Sequence, residues 1–350
     1  MSTTQKEIAR RVGLSTQSVA RALHGHPSMA PETRRKVLET AQALGYNEHS
    51  NKGARALAAR RLGRRVKYNV IAIVVSSDPQ LHSVPYYSEL LLGIETATAE
   101  RGVDLFFFRH GRSPLPRLVT DTEVDGIVCV VSDDDLFGQL RSLDIPSVLL
   151  AAPTSRIPSL VPDDYRGTCL ATQHLIDLGH RRIAYVGMEP LSTTGIDRFA
   201  GYLDTLEKNG IALDHGLIDV SLTLVNQDLG ALAIEQILDD DPSFRKDGRA
   251  SFTGVVCSHD LHGLGIAERL QERGFSVPRD FSVVGFDDTA HLYSFRPALT
   301  SIAFDRVAMG RRAVEILDSQ SEDGASIANA SREVFPVELK VHESTAPPRS

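Results

Sequence analysis

Thr16, Gln17 and Ser18 stand in a row directly after Ser15, and Arg21 follows one helical turn later. A carboxamide pairs bidentately with adenine, hydroxyls serve either bases or phosphates, and a guanidinium reaches guanine or a phosphate. Such groups read a DNA groove only when a helix holds its first turn out toward the base edges. The flanking sequence must therefore supply that helix and a support for it.

Thr4-Gln5-Lys6-Glu7 has the capping-box pattern, so a helix is predicted to start there, with Ile8, Ala9 and Val12 on one face. Gly13 supplies a turn and Ser15 an N-cap for a second helix over 16–23, in which Val19, Ala22 and Leu23 face a core. A third helix begins at Pro31, carries Val37, Leu38, Ala41 and Leu44 inward, and stops at Gly45. Caps and spacing alone fit a generic three-helix bundle equally well. Charge adds a second argument: residues 1–65 hold three Lys and ten Arg against four Glu, a net +9 that leaves −16 on the remainder of a chain totalling −7. A basic head on an acidic body confines any attraction to a polyanion to the head.

From Val70 onward apolar runs alternate with helical stretches, the rhythm of strand-helix-strand units with a parallel sheet covered on both faces. Strands are predicted at 70–75, 103–108, 126–131 and 146–151, then at 182–187, 217–221, 253–258 and 281–286. Helices are predicted near 87–100, 165–178, 197–209, 228–238 and 260–273. Two successive sets imply two similar lobes, with a ligand beyond the carboxyl ends of the strands.

Enzyme chemistry finds little support. Asp133, Asp134 and Asp135 form a carboxylate cluster, but there is no P-loop, no GxGxxG after a strand and no GxSxG. No catalytic residue, cofactor or metal is expected. Cys129, Cys169 and Cys257 lie far apart in apolar segments and read as buried free thiols. The longest apolar runs fall short of a membrane span and the start lacks an export signal, so a cytoplasmic, nucleoid-associated protein is expected, without a membrane partner.

The run IARRVGLSTQSVARALHGHPSMAPETRRKVLETAQALGY resembles the DNA-binding head of the lactose-repressor/galactose-repressor family. The shared elements are Ala9, Gly13 and Ser15 of the turn, Ser18-Val19-Ala20-Arg21, Glu32-Thr33-Arg34 and Leu44-Gly45-Tyr46. The segments VDGIVCVVSDDD, HLIDLGHRRIAYVG, SVVGFDD and RPALTSI extend the resemblance almost to the C-terminus. It implies a small all-α helix-turn-helix head (1–47), a hinge (48–66) and an α/β two-lobed body of the periplasmic-binding-protein type I fold (67–345), with parallel, doubly wound sheets. The first lobe should comprise 69–160 plus 290–320, and the second 161–289 plus 325–342.

The resemblance also implies roles. Thr16, Gln17 and Arg21 fall on base-reading positions, with Ser18 beside them and backbone contacts near Thr4 and Ser15. Ala54-Arg55-Ala56-Leu57 matches a hinge helix, in which Arg55 meets DNA and Leu57 is the apolar wedge pushed into the minor groove. Asp163, Arg198 (in Arg-x-x-Gly) and Asp287 match effector-holding positions, and Tyr86 and Tyr87 match aromatics that cover a ligand ring. The implied partners are double-stranded operator DNA, a small-molecule effector of the carbohydrate class, and a second copy of the chain in a homodimer.

Two departures stand out. NEHSNKG follows Tyr46 where relatives carry a proline and two fewer residues. Ser258-His259-Asp260 replaces the family's Ala-Asn-Asp, placing His259 where an effector-binding asparagine is usual; a solvated histidine is the alternative reading.

Overall fold

The computed structural model describes residues 5–23, 26, 29–44, 67–76, 86–111, 114–130, 133–150, 152–222, 224–289, 295–322 and 331–349. The chain divides into two compact units, Met1–Tyr68 and Asn69–Ser350.

The first unit contains α1 (Gln5–Val12), α2 (Thr16–Leu23) and α3 (Pro31–Ala43). Ile8, Ala9, Val12, Val19, Ala22, Val37 and Ala41 form its core, with Leu14, Leu23 and Leu44 packed at the margin. Gly13 takes φ +71°, the left-handed conformation that ends α1, and Ser15 caps α2 by accepting from the Ser18 amide at 3.1 Å. Leu38 departs from expectation: it is exposed. Val37 already fills the inward position, and adjacent helical residues lie about 100° apart, too far to share one narrow face.

In the second unit the first-lobe strands are β1 (Val70–Ser76), β2 (Asp104–His110), β3 (Gly126–Cys129), β4 (Ser147–Leu150) and β5 (Ser159–Pro162). Between them lie α4 (Tyr86–Arg101), α5 (Arg117–Thr120) and α6 (Asp134–Ser142). The second lobe follows with α7 (Asp164–Asp177), β6 (Ile183–Met188), α8 (Thr193–Lys208), β7 (Ile218–Leu222), α9 (Gln227–Asp240) and α10 (Pro242–Asp247). It continues with β8 (Gly254–Cys257), α11 (Asp260–Glu272), β9 (Ser282–Phe286) and β10 (Thr300–Ala303). The chain then adds α12 (Arg306–Glu322), β11 (Arg332–Phe335) and β12 (Glu338–Lys340).

The sheets run β2-β1-β3-β4-β5-β11 and β7-β6-β8-β9-β10-β12, the same order apart from chain position. All pairings are parallel except that of β12 with β10. Strands such as GIVC and SVLL are buried along their whole length, which is why they read as continuous apolar runs.

The closing segments divide differently from expectation. β10, expected in the first lobe, pairs with β9 of the second, whereas β11, expected in the second, pairs with β5 of the first. The chain therefore crosses between lobes after β5, after β10 and between β11 and β12. Helix α12 returns to the first lobe, where Gly93 of α4 and Gly310 of α12 let the two backbones touch; a Cβ at either would overlap a carbonyl of the other helix.

Candidate functional site

On the first unit, the start of α2 carries the residues singled out from sequence. Ser15, Thr16, Gln17 and Arg21 are exposed, whereas Val19 and Ala22 on the opposite face are buried. Ser18 is half-buried, its hydroxyl 2.9 Å from that of Ser15. Lys6, Arg10, Arg11, Arg34, Arg35 and Lys36 are also exposed, which makes the unit's surface cationic. Thr4, Arg55 and Leu57, together with the hinge at 48–66, lie outside the described residues.

In the second unit a polar cluster forms where strands of the second lobe end and α4 of the first lobe begins. Arg198 on α8 is its hub, only 3% exposed. Its Nε donates to Asp164 Oδ1 at 2.7 Å, Nη1 donates to the Ser258 carbonyl, and Nη2 lies 3.8 Å from Asp287 Oδ1. Its guanidinium stacks on the Phe286 ring at 3.6 Å. Three residues on, Gly201 allows α8 to approach α7, since a Cβ there would press on the Tyr165 carbonyl and Thr168. This close approach gives the Arg-x-x-Gly spacing its physical basis.

Asp287 follows β9 with φ +117°, a backbone conformation rare for any side chain but glycine's. The strain is held by three bonds: the Asp287 amide donates to Ile302 O at 2.8 Å, Arg306 Nη1 donates to the Asp287 carbonyl, and Arg306 Nη2 to the Asp288 carbonyl at 3.1 Å. Burial pushes the Asp287 carboxyl up to about 7, against the lowering pull of Arg198 and Arg306. Its Oδ1 is buried and has no hydrogen-bond partner among the described residues.

Tyr86 and Tyr87 meet edge to face with ring centroids 5.3 Å apart. Burial, and next to it the neighbouring Asp287 carboxylate, raises both phenols, so each remains a neutral hydroxyl. His259 is half-buried rather than solvated, with Nδ1 3.0 Å from the Ser258 hydroxyl. Burial first, then Arg198 and His262, hold it well below the usual histidine range and therefore neutral.

Tyr86, Tyr87, Arg198, His259 and Asp287 are thus brought together. Asp163 is not part of the cluster: it caps α7 by accepting from the Arg166 amide at 3.0 Å. Its neighbour Asp164, 1% exposed, is the carboxylate that turns inward. The adjacent Asp pair was itself a signal, because once one Asp caps a helix the next must point elsewhere.

Arg306 was also missed. It bridges Glu89 of α4, at 2.9–3.0 Å, to the loop after β9. An arginine in the first turn of α12 opposes the helix dipole, a cue that some other partner holds it. Asp260 accepts from Ser301 Oγ at 2.6 Å and from the Thr289 amide at 3.0 Å, so it fastens the loop after β9. In the Asp133–Asp135 run, Asp133 caps α6 through the Leu136 amide at 2.8 Å, and the next two residues are exposed. Among the described residues no group of three or more His, Cys, Asp or Glu is placed to hold a metal, and no helix is long and apolar enough to cross a membrane.

Residues 4–48 match the family described as bacterial regulatory proteins, lacI family, and residues 172–345 match the periplasmic binding protein-like domain. The HTH-type transcriptional regulator CelR of Thermobifida fusca is 30% identical over 326 residues, covering 90% of each chain. The HTH-type transcriptional repressor PurR of Mannheimia succiniciproducens is 26% identical over 324 residues, again covering 90% of each. Among solved structures, the CelR–cellobiose complex superposes with a TM-score of 0.68 at 27% identity, covering 98% of this chain and 99% of that one. These relatives are transcriptional regulators and not enzymes. On both its helix-turn-helix unit and its two-lobed unit, the chain belongs to the LacI family of bacterial DNA-binding transcriptional regulators.

Proposed function

We propose that the chain is a cytoplasmic, nucleoid-associated repressor that binds a palindromic operator as a homodimer under the control of a carbohydrate in the cleft. The observation that carries the DNA half is the exposed first turn of α2, where Thr16, Gln17 and Arg21 stand on a helix whose other face is core. Two copies of such a unit bind half-sites about one helical turn apart, which makes the operator a palindrome. The carbohydrate half draws on the cellobiose bound to CelR and on a cleft that offers hydroxyls, a carboxylate and aromatic rings. Arg55 and Leu57 complete the reading as the hinge, which inserts Leu57 into the minor groove.

Selection of the full-length protein against random duplex DNA tests the proposal. A single motif with two-fold symmetry is expected, and an asymmetric motif or none overturns it. In a bending assay on that operator, Leu57→Ala abolishes most of the bend; an unchanged angle and affinity would remove Leu57 from the hinge role.

A further inference from the structure

Beside the Arg198 cluster, Ser258, His259 and His262 form a hydrogen-bonded chain. His262, in the first turn of α11 and fully buried, places Nε2 3.0 Å from the Leu224 carbonyl and Nδ1 3.4 Å from the Ser258 hydroxyl. Ser258 follows β8 and is buried, and the same hydroxyl lies 3.0 Å from His259 Nδ1. The two rings meet edge to face with centroids 5.5 Å apart.

The direction of each bond follows from what each atom can do. A carbonyl only accepts, so the proton of a neutral His262 sits on Nε2 and leaves Nδ1 a bare acceptor. Ser258 has one hydroxyl proton, and Nδ1 of His262 is the acceptor that needs it. Toward His259 the serine oxygen can then only accept, which puts that ring's proton on Nδ1 and leaves its Nε2 bare. The surroundings keep both rings neutral: burial holds His262 down to about 4, and burial, with Arg198 next, holds His259 well below the usual histidine range. The backbone of Ser258 is engaged elsewhere, its amide donating to Val186 O at 2.8 Å and its carbonyl accepting from Arg198. Neither Ser258 nor His262 has a buried side-chain atom left without a partner.

We infer that Ser258 and His262 are positioning residues that hold His259 in a single tautomer, protonated at Nδ1, with Nε2 kept as a pure acceptor. The same relay ties the end of β8 to Leu224, ahead of α9. The serine that stands where the family pattern has alanine therefore belongs with the histidine that stands where it has asparagine. An alanine there would leave His259 free to carry its proton on either nitrogen. The relay is a property of the free protein, and only its use in ligand recognition rests on the reading of the cleft as the effector site.

The test is NMR of the full-length protein labelled with 13C and 15N on histidine, at about pH 8, above the ordinary histidine pKa, where ring-carbon shifts separate the two neutral tautomers. His259→Gln and His262→Gln each remove one of the twelve histidine signals and so assign it. His259 should show the Nδ1–H tautomer and His262 the Nε2–H tautomer, opposite states in neighbouring rings. In Ser258→Ala the His259 shift should move toward the average of the two tautomers while that of His262 stays. Ser258→Thr, which restores the hydroxyl, should return it.

An Nε2–H or imidazolium signal for His259, or an Nδ1–H signal for His262, would overturn the inference. A His259 shift unchanged in Ser258→Ala, or not restored in Ser258→Thr, would remove Ser258 from the positioning role. Operator selection by the same preparation reports separately on the regulatory reading, so a wrong tautomer is distinguishable from a wrong function.

Discussion

The two candidate sites are built on opposite principles. On α2 the working groups are exposed, and the supporting residues are apolar and buried, so the surface is ready for a partner that brings its own charge. In the cleft the working groups are themselves buried and hold one another, with Arg198 tying Asp164, Asp287 and the Ser258 carbonyl. A reading surface can lose a residue and keep its fold. A buried polar cluster loses its central cation at a higher cost, because Arg198 offsets the charge of Asp164 and Asp287.

That contrast is most sharply tested at the hub. Arg198→Ala leaves two carboxylates buried without their cation, and is expected to destabilise the two-lobed unit by about 3–5 kcal/mol. Urea denaturation of the full-length protein measures this. The ion pairs give Arg198 a part in the fold besides the effector-holding position that the sequence assigned to it. If the variant unfolds at the wild-type midpoint, the cluster is not cooperative.

Gln17→Ala should leave thermal stability unchanged and relax preference at one operator position by about 1–3 kcal/mol, the range for a bidentate base contact. Random-sequence selection that returns the wild-type motif would show that Gln17 does not read a base. Replacement of Arg34 or Arg35, exposed on α3, should instead weaken all sequences alike and reduce the salt slope.

A pH profile probes the cleft from another side. Asp287 titrates near 7 when folded, above the ordinary carboxylate value, so the folded state holds a proton that the unfolded chain has already lost. Its contribution to stability is complete below pH of about 4 and is lost as pH rises toward 7, with a slope of at most about 1.4 kcal/mol per pH unit. Tyr86, Tyr87, Asp164, Asp260, Arg198 and Arg306 all face or influence this group, so the measurement is the difference between the wild-type and Asp287→Asn slopes. Parallel profiles would mean that Asp287 is ionised throughout. The smallest effect is expected for Ser15→Ala, which removes the cap of α2 at a cost of about 1 kcal/mol, read in the melting of the first unit.

The sequence was a better guide to what is local than to what is distant. Helix starts were legible because Ser15, Pro31 and Gly13 act within one turn, and eight strands because most of them contain apolar runs such as VIAIVV, GIVC and SVLL. β5, β10, β11 and β12 were not seen. Each has three or four residues, and the buried polar Ser159, Thr300 and Ser301 break the apolar pattern; the hydroxyls of Thr300 and Ser301 find partners in Thr345, the His342 amide and Asp260. Which lobe owns β10 or β11 is a matter of pairing across more than 150 residues for β5 and β11, and no local cue encodes it. In the cleft the candidate positions were largely visible, but their mutual commitment was not: Asp163 was the candidate, yet it caps a helix while its neighbour Asp164 holds Arg198.

The three crossings between lobes also set an order of manufacture. On a ribosome the first lobe's strands emerge early, yet its sheet waits for β11 and its α4 waits for α12, both of which emerge after nearly all of the second lobe. The second sheet in turn waits for β12, the last strand of all. Neither lobe can be finished before the other is almost made, so a premature stop after α12 yields two incomplete sheets rather than one sound lobe. The cleft between them comes into being only with the last strands of the chain.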